Sequence, residues 1–262
     1  MAHRSQPLIA LLTDFGTRDW YVACLKAVIL SIAPRARLVD ITHEIPPQDI
    51  VAGAVILSAA APSFPLGTIF ACVVDPGVGT SRPLIAARAD RASFVGPDNG
   101  IFGEVFRRSQ RLDMVRLTNS HYWLPTVSQT FHGRDIVAPV AARLALGCPL
   151  QQLGRPHARY HPVELPSLRR SPQAVRGSIV FIDVFGNLIT NLPASLMAQR
   201  AGWRVRYKRR LVRVVSSYEE GRSGELTAIV GSTGYLELAV RRDSAAVRYR
   251  AKRGDRVEWC RG

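Results

Sequence analysis

Apolar runs and helical repeats alternate through the first half of the chain, while short strands and turns fill the second. Leu8–Thr13 is continuously apolar, the pattern of a strand buried on both faces of a parallel sheet. Over residues 20–32, Val22, Leu25, Ile29 and Ile32 recur at helical spacing, and the repeat stops before Pro34. A strand at 37–41, a loop at 42–49, a small-residue helix at 50–61 and a strand at 68–74 follow. Further strands are predicted at 84–87, 93–95 and 114–117, with a helix at 136–146. This alternation predicts an α/β domain, a mostly parallel sheet flanked by helices. A proline-rich stretch follows, and then apolar segments at 177–183, 188–192, 203–207, 210–215, 227–230, 235–240 and 256–259, separated by turns. These predict a smaller all-β domain, barrel or sandwich. The expected division is an N-terminal domain over 1–155, a linker over 156–174 and a C-terminal domain over 175–262.

Several predicted strands deliver a carboxylate at their carboxyl ends, where open α/β sheets bind ligands. The strand at 68–74 runs into Asp75-Pro76-Gly77-Val78-Gly79, with Arg82 seven positions after the aspartate. Asp75 and Arg82 can face one small space from the two ends of that loop; the plainer alternative is a turn-capping Asp and a surface Arg. The first strand ends similarly in Asp14-Phe15-Gly16, with Asp19 shortly after. His132, between Phe131 and Gly133, stands at a helix entrance, where it either faces a ligand or caps the helix. Gly96-Pro97-Asp98-Asn99-Gly100 reads as a structural turn. In the β half, Asp183-Val184-Phe185-Gly186-Asn187 and the segment from Gly231 to Glu237 read as β-turns.

Composition narrows the function classes. The chain has 262 residues, 47% of them hydrophobic and 21% charged, an ordinary globular mix. No apolar run approaches the roughly 20 residues of a membrane helix, and the first residues lack a signal-peptide core, so the expected location is cytoplasmic. The net charge of +15 invites a nucleic-acid reading. However, lysine occurs only at 26, 208 and 252, so nearly all the basic residues are arginine, a skew that GC-rich coding would produce. No nucleic-acid signature accompanies the charge, and the arginines around 200–213 and 241–256 alternate with apolar residues as solvated strand faces do. Nucleic acid is therefore not an expected partner. Cys24, Cys72, Cys148 and Cys260 lie far apart, without metal or disulfide spacing, and read as free, mostly buried thiols.

Six short motifs, in order, resemble the S-adenosylmethionine (SAM) hydroxide adenosyltransferases, or SAM hydrolases, relatives of the SAM-dependent fluorinase and chlorinase. They are Thr13-Asp14-Phe15-Gly16, Val74 through Gly79 with Arg82, Pro97 through Gly100, Phe131 through Asp135, Phe185-Gly186-Asn187 with Thr190-Asn191, and Ser232 through Glu237. The resemblance implies a homotrimer whose sites form where one subunit's N-terminal domain meets a neighbour's C-terminal domain. The implied reaction converts SAM and water to adenosine and methionine, with SAM as substrate and no cofactor or metal. Asp75, Arg82 and His132 match the residues around the attacking water. Asp14 matches a ligand of the ribose hydroxyls, Asp19 a position near the methionine amino group, and Phe185 and Asn187 adenine contacts. Asp183 is expected toward the methionine end, Ser232 at the methionine carboxylate and Tyr218 beside the adenine.

The chemistry suits these residue types. SAM already carries a good neutral leaving group, so the enzyme's task is to align a nucleophile with the C5′–S bond. A carboxylate such as Asp75 can orient water or accept its proton, held in a charge-assisted pair with Arg82. Either His132 relays the proton or hydroxide is the species held near Arg82; the sequence leaves both open. One carboxylate, Asp14, can accept from both ribose hydroxyls, and Asn187 offers donor and acceptor to an adenine edge. The halogenases carry a tyrosine-containing segment where this chain has Asp75, whose charge would repel halide, and Gln48 stands roughly where they place a tryptophan. The remaining alternatives are a related halogenase and a non-catalytic SAM- or adenosine-binding protein, which would not need Asp75, Arg82 and His132 together.

Overall fold

The computed structural model describes residues 6–199 and 203–261. The start of the chain, read above for targeting, and Arg200 of the late basic cluster lie outside the described residues. The chain divides into two compact units between Val163 and Glu164.

In the first unit the strands are β1 (Leu8–Thr13), β2 (Arg37–Thr42), β3 (Ile69–Val73), β4 (Leu84–Ala89), β5 (Ala92–Pro97), β6 (Leu112–Leu117) and β7 (Gly154–Pro156). The helices are α1 (Tyr21–Ile32), α2 (Ile50–Ala60), α3 (Gly103–Arg108) and α4 (Ala138–Ala145). They build one seven-stranded sheet in the order β2-β1-β3-β5-β4-β6-β7. The half from β2 to β5 is parallel, as the strand–helix alternation predicts. The other half is antiparallel, because β4 and β5 are joined by only Asp90 and Arg91 and a turn that short can only return the chain alongside itself.

Alternation along the strands divides the core. Ile9, Leu11, Ile69, Ala71 and Val73 pack with Leu25 and Ile29 of α1 and with α4. Phe70 lies on the opposite face of β3 and stacks on Phe94, which meets Phe102 and Phe106 edge to face. Removing one of these fully buried side chains would cost about 2–5 kcal/mol.

The structure revises several local expectations. Gly96 and Pro97 belong to β5, and the turn begins after them. The helix predicted at 136–146 opens with a π-turn, Gly133–Val137, before α4. Of the proline-rich stretch, residues 154–163 pack within the first unit: β7 pairs with β6, His157 N–H donates to Met114, and Asp98 accepts from His161 N–H at 2.7 Å. Of the four free cysteines, Cys72 and Cys260 are buried and the other two only partly so.

The second unit contains β8 (Arg169–Arg170), β9 (Ala174–Ile182), β10 (Leu188–Pro193), β11 (Trp203–Tyr207), β12 (Arg210–Val214), β13 (Leu226–Val230), β14 (Tyr235–Val240) and β15 (Arg256–Arg261), with one short α-helix among the described residues, α5 (Ala245–Arg248). Strands β10-β14-β13-β12-β11-β15-β9 pair in sequence, and β9 pairs back to β10, closing a seven-stranded barrel. Closure leaves no unpaired edge within that ring. Its interior is filled by Val175, Leu188, Val205, Tyr207, Leu226, Leu238 and Trp259 among others.

Candidate functional site

In the first unit the candidate residues gather at the carboxyl ends of β1 and β3. These strands are in register, Thr13 beside Val73, so Asp14 and Asp75 emerge one and two positions beyond a matched pair. After Val74 the chain turns through Pro76-Gly77-Val78-Gly79. Gly79 has φ +79°, and a Cβ there would lie 2.5 Å from the Gln129 carbonyl oxygen. A residue without a side chain is therefore required where the Asp75 loop crosses the loop leading to His132. Asn99, just past β5, braces the same corner by donating from Nδ2 to the Val74 carbonyl at 2.8 Å.

Asp75, Arg82 and His132 form one cluster. Arg82 Nε donates to Asp75 Oδ1 at 2.7 Å, and Nη2 donates to Oδ2, a two-point pair with side chains only 4% and 12% exposed. Arg82 Nη2 also lies 3.0 Å from His132 Nδ1. A guanidinium can only donate, so Nδ1 accepts and the imidazole proton belongs on Nε2. Burial pushes the His132 pKa down, and the adjacent Arg82 charge pushes in the same direction, against weaker opposite pulls from Asp75 and Asp135. His132 is thus a neutral imidazole presenting an Nε2–H donor. Beneath it, the fully buried Asp135 in the π-turn accepts from Arg134 Nε at 2.6 Å and from Ser128 N–H at 2.8 Å. It anchors the loop that delivers Phe131 and His132.

Asp14 accepts from the Gln48 backbone N–H at 2.8 Å. Burial raises its pKa, opposed by that hydrogen bond, and the nearby Asp75 carboxylate adds to the rise. Gln48 itself has φ +66°, so the segment after β2 adopts an uncommon backbone to aim its N–H at Asp14. Asp19 is exposed, next to Trp20, which is 64% exposed and leans on the Phe15–Tyr21–Phe131 aromatic group.

In the second unit Asp183 builds the turn between β9 and β10. Its Oδ1 accepts from the N–H groups of Phe185 and Asn187, and its Oδ2 from Asn187 Nδ2 at 2.9 Å. One N–H of the Asn187 amide is therefore engaged within the turn, which leaves its second N–H and its carbonyl oxygen to offer a ligand. Gly186 has φ +83° and leaves no room for a Cβ against Ser244. The turn presents Val184 and Phe185, which are 93% and 74% exposed. Tyr218 donates its hydroxyl to Glu237, a buried residue of β14. Burial raises both pKa values; Tyr218 is pushed further by Glu237, and Glu237 by Asp183, against the phenol hydrogen bond. Ser232 lies exposed in the turn between β13 and β14.

The structure thus brings Asp75, Arg82 and His132 into direct contact and sets Asp14 beside them. Separately, it brings Asp183 and Asn187 together and places Tyr218 against Glu237. Sequence reasoning missed the Gln48 N–H, a backbone group without side-chain signature, and Glu237, whose place in an alternating strand gave no sign of a phenol partner. Among the described residues no group of three or more His, Cys, Asp or Glu side chains could hold a metal ion.

Comparison with known proteins gives the same direction from both units. Residues 9–154 match the SAM hydroxide adenosyltransferase N-terminal domain, and residues 177–258 match its C-terminal domain. A protein of Thermus thermophilus named (R)-S-adenosyl-L-methionine hydrolase is 42% identical over 249 residues, covering 90% of this chain and 93% of its own. One of the same name from Salinispora tropica is 37% identical, covering 96% and 97%. A fluorinase of an Actinoplanes species is 28% identical, with 97% of each chain covered. The crystal structure of an uncharacterized conserved protein from Thermotoga maritima superposes with a TM-score of 0.89 at 36% identity, covering 97% of this chain and all of that one. With both of its domains matched by family profile and near-full-length relatives above 30% identity, the chain belongs to the SAM hydroxide adenosyltransferase family.

Proposed function

We propose that this protein hydrolyses S-adenosyl-L-methionine to adenosine and L-methionine. The observation that carries the proposal is the Asp75–Arg82–His132 cluster, one acceptor and two donors held in contact at the strand ends beside Asp14. Family membership supports it, as do the hydrolase relatives, whose name specifies the (R) sulfonium epimer.

In this reading Asp14 accepts from the two ribose hydroxyls, and Asp75 accepts a hydrogen bond from the attacking water. Arg82 and the His132 Nε2–H stabilise the negative charge that develops on its oxygen. Because His132 Nδ1 already accepts from Arg82, the proton passes to Asp75 or is lost beforehand, leaving hydroxide as the bound species. The C5′–O bond forms as the C5′–S bond breaks, its electron pair stays on sulfur, and methionine departs as a neutral thioether with one proton released. Asn187 and Phe185 serve the adenine with Tyr218 beside it, Asp19 serves the methionine ammonium, Asp183 reaches toward the methionine end, and Ser232 serves the carboxylate. No cofactor is needed for a substrate whose leaving group is already activated. The Asp75 carboxylate argues against halide as nucleophile, since the two charges repel. We also infer a homotrimer completing its sites between neighbours, and a cytoplasmic location; no described helix is long and apolar enough to cross a membrane.

The test is to incubate the purified protein with epimeric SAM in 18O-labelled water, with and without halide, and identify products by mass spectrometry. We expect label in the adenosine 5′-hydroxyl and faster loss of the (R) epimer. Label in homoserine with methylthioadenosine as the other product, a halogenated nucleoside, or binding without turnover would overturn the hydrolase reading. Asp75→Ala should lower kcat by about a hundredfold or more while SAM binding by calorimetry survives, which separates a catalytic role from an anchoring one.

A further inference from the structure

A second set of polar contacts lies directly behind the Asp14 turn and takes no part in the chemistry above. Thr13, the last residue of β1, is fully buried, and its Oγ1 lies 2.8 Å from Nδ1 of His43, which is buried just past the end of β2. Phe15 N–H reaches the same Oγ1 at 3.3 Å. Across the ring, His43 Nε2 lies 3.1 Å from Asp40 Oδ1, off line for a well-formed hydrogen bond, while Asp40 Oδ2 accepts from Lys26 Nζ at 2.6 Å. The His43 backbone carbonyl accepts from Gly16 N–H at 2.7 Å.

The direction of each contact follows from its neighbour. Lysine only donates, so Asp40 faces the imidazole as a carboxylate; Lys26 and His43 hold its pKa below the ordinary value although partial burial works to raise it. A carboxylate beside Nε2 places the proton there, which leaves Nδ1 to accept from the Thr13 hydroxyl. The Thr13 oxygen then has its lone pairs for Phe15 N–H. The polar chain from Lys26 on α1 to Thr13 therefore ends on the residues flanking Asp14, and the same segment that carries His43 continues to Gln48, whose N–H holds the Asp14 carboxylate. An apolar pair would fill the space behind the turn equally well but would lose the hold on Phe15 N–H, leaving Gly16 only its contact with a backbone carbonyl.

We propose that His43, acting through the Thr13 hydroxyl, is a positioning residue that holds the Asp14 turn in the geometry that binds the ribose. This rests on the SAM reading for the identity of the ligand. The experiment compares Thr13→Val, which keeps shape and loses the hydroxyl, with Thr13→Ser, and His43→Leu with His43→Asn, whose Oδ1 restores an acceptor near the Nδ1 position. Each variant is measured for kcat and KM with SAM, and for amide hydrogen exchange at Phe15, Gly16 and Gln48. Thr13→Val and His43→Leu should raise KM about tenfold or more with kcat within about threefold, and should speed exchange at those amides; Thr13→Ser and His43→Asn should stay near wild type. Unchanged KM or unchanged exchange in Thr13→Val, or a loss confined to kcat, overturns the proposal. Should His43→Leu not fold, the Thr13 pair decides alone. Should the wild type not turn over SAM, the hydrolase reading fails separately, and the exchange measurements still decide whether His43 holds the turn.

Discussion

His132 carries the clearest pH signature at the residue scale. Its folded-state pKa is held below 6.5 by burial and by Arg82, whereas in the unfolded chain it titrates near that value. The unfolded state therefore takes up the proton first as pH falls, so stability contributed by neutral His132 is present above about pH 6.5 and is lost progressively below it, down to the depressed folded value. For activity the sign is the same. A protonated His132 would set Nδ1–H against the Arg82 donor and break the cluster. We expect kcat to stay flat as pH drops through the ordinary histidine range and to fall only below it. A pH–rate profile of kcat checks this, and an acid limb centred at or above pH 6.5 would show that His132 is not held neutral by this contact. Asp75 and Arg82 were legible as a pair in the sequence, since seven positions with two glycines can fold back on themselves. The His132 tautomer was not, because it depends on a contact fifty residues away.

The loops matter more than the strands at the element scale. The turn after β3 and the loop before the π-turn cross at Gly79 and Gln129, so their relative placement is set by a backbone contact that admits no Cβ. Gly79→Ala should displace the turn and misalign Asp75 and Arg82, lowering kcat/KM by about a hundredfold or more. Gly254→Ala is the control: its φ is +87°, yet nothing lies within 4 Å of the added methyl, so it should cost about 1 kcal/mol of backbone strain without touching turnover. Steady-state kinetics and thermal melts of the two variants separate crowding from strain. Equal kinetic losses in both would refute the crossing-loop account. The π-turn at Gly133–Val137 went unread because its residues share the apolar spacing of the α4 helix that follows. It is set apart by Asp135, which turns inward to Ser128 and Arg134.

The proposed site residues of the whole molecule are divided between an α/β unit and a barrel. If sites form between neighbouring subunits of a trimer, two differently damaged chains should rescue one another. Asp75→Ala lacks the water-orienting group and Asn187→Ala the amide proposed to contact the adenine. Each alone should be nearly inactive. Unfolded together in equal amounts and refolded, they should recover about one quarter of wild-type sites, because a site is intact wherever a sound first domain meets a sound second domain in cyclic order. Light scattering should give three chains per particle. A monomer with full activity, or a mixture no more active than its parts, would refute assembly of the site between subunits.

The order of apolar and polar residues determined the two-part architecture and most of the strands, because burial on a sheet face imposes a period that the sequence must carry. It also placed carboxylates at strand ends, where Asp14 and Asp75 were visible as candidates. Only the tertiary structure decided that β4 to β7 run antiparallel, that residues 154–163 pack into the first unit, and that β9 returns to β10 to close the barrel. It alone decided that Arg82 bridges Asp75 and His132, that one N–H of the Asn187 amide is held by Asp183, and that His43 stands behind Thr13. These are pairings between residues far apart in the chain or choices among hydrogen-bond partners. Local spacing does not encode them, since they depend on which surfaces meet once the apolar faces are buried.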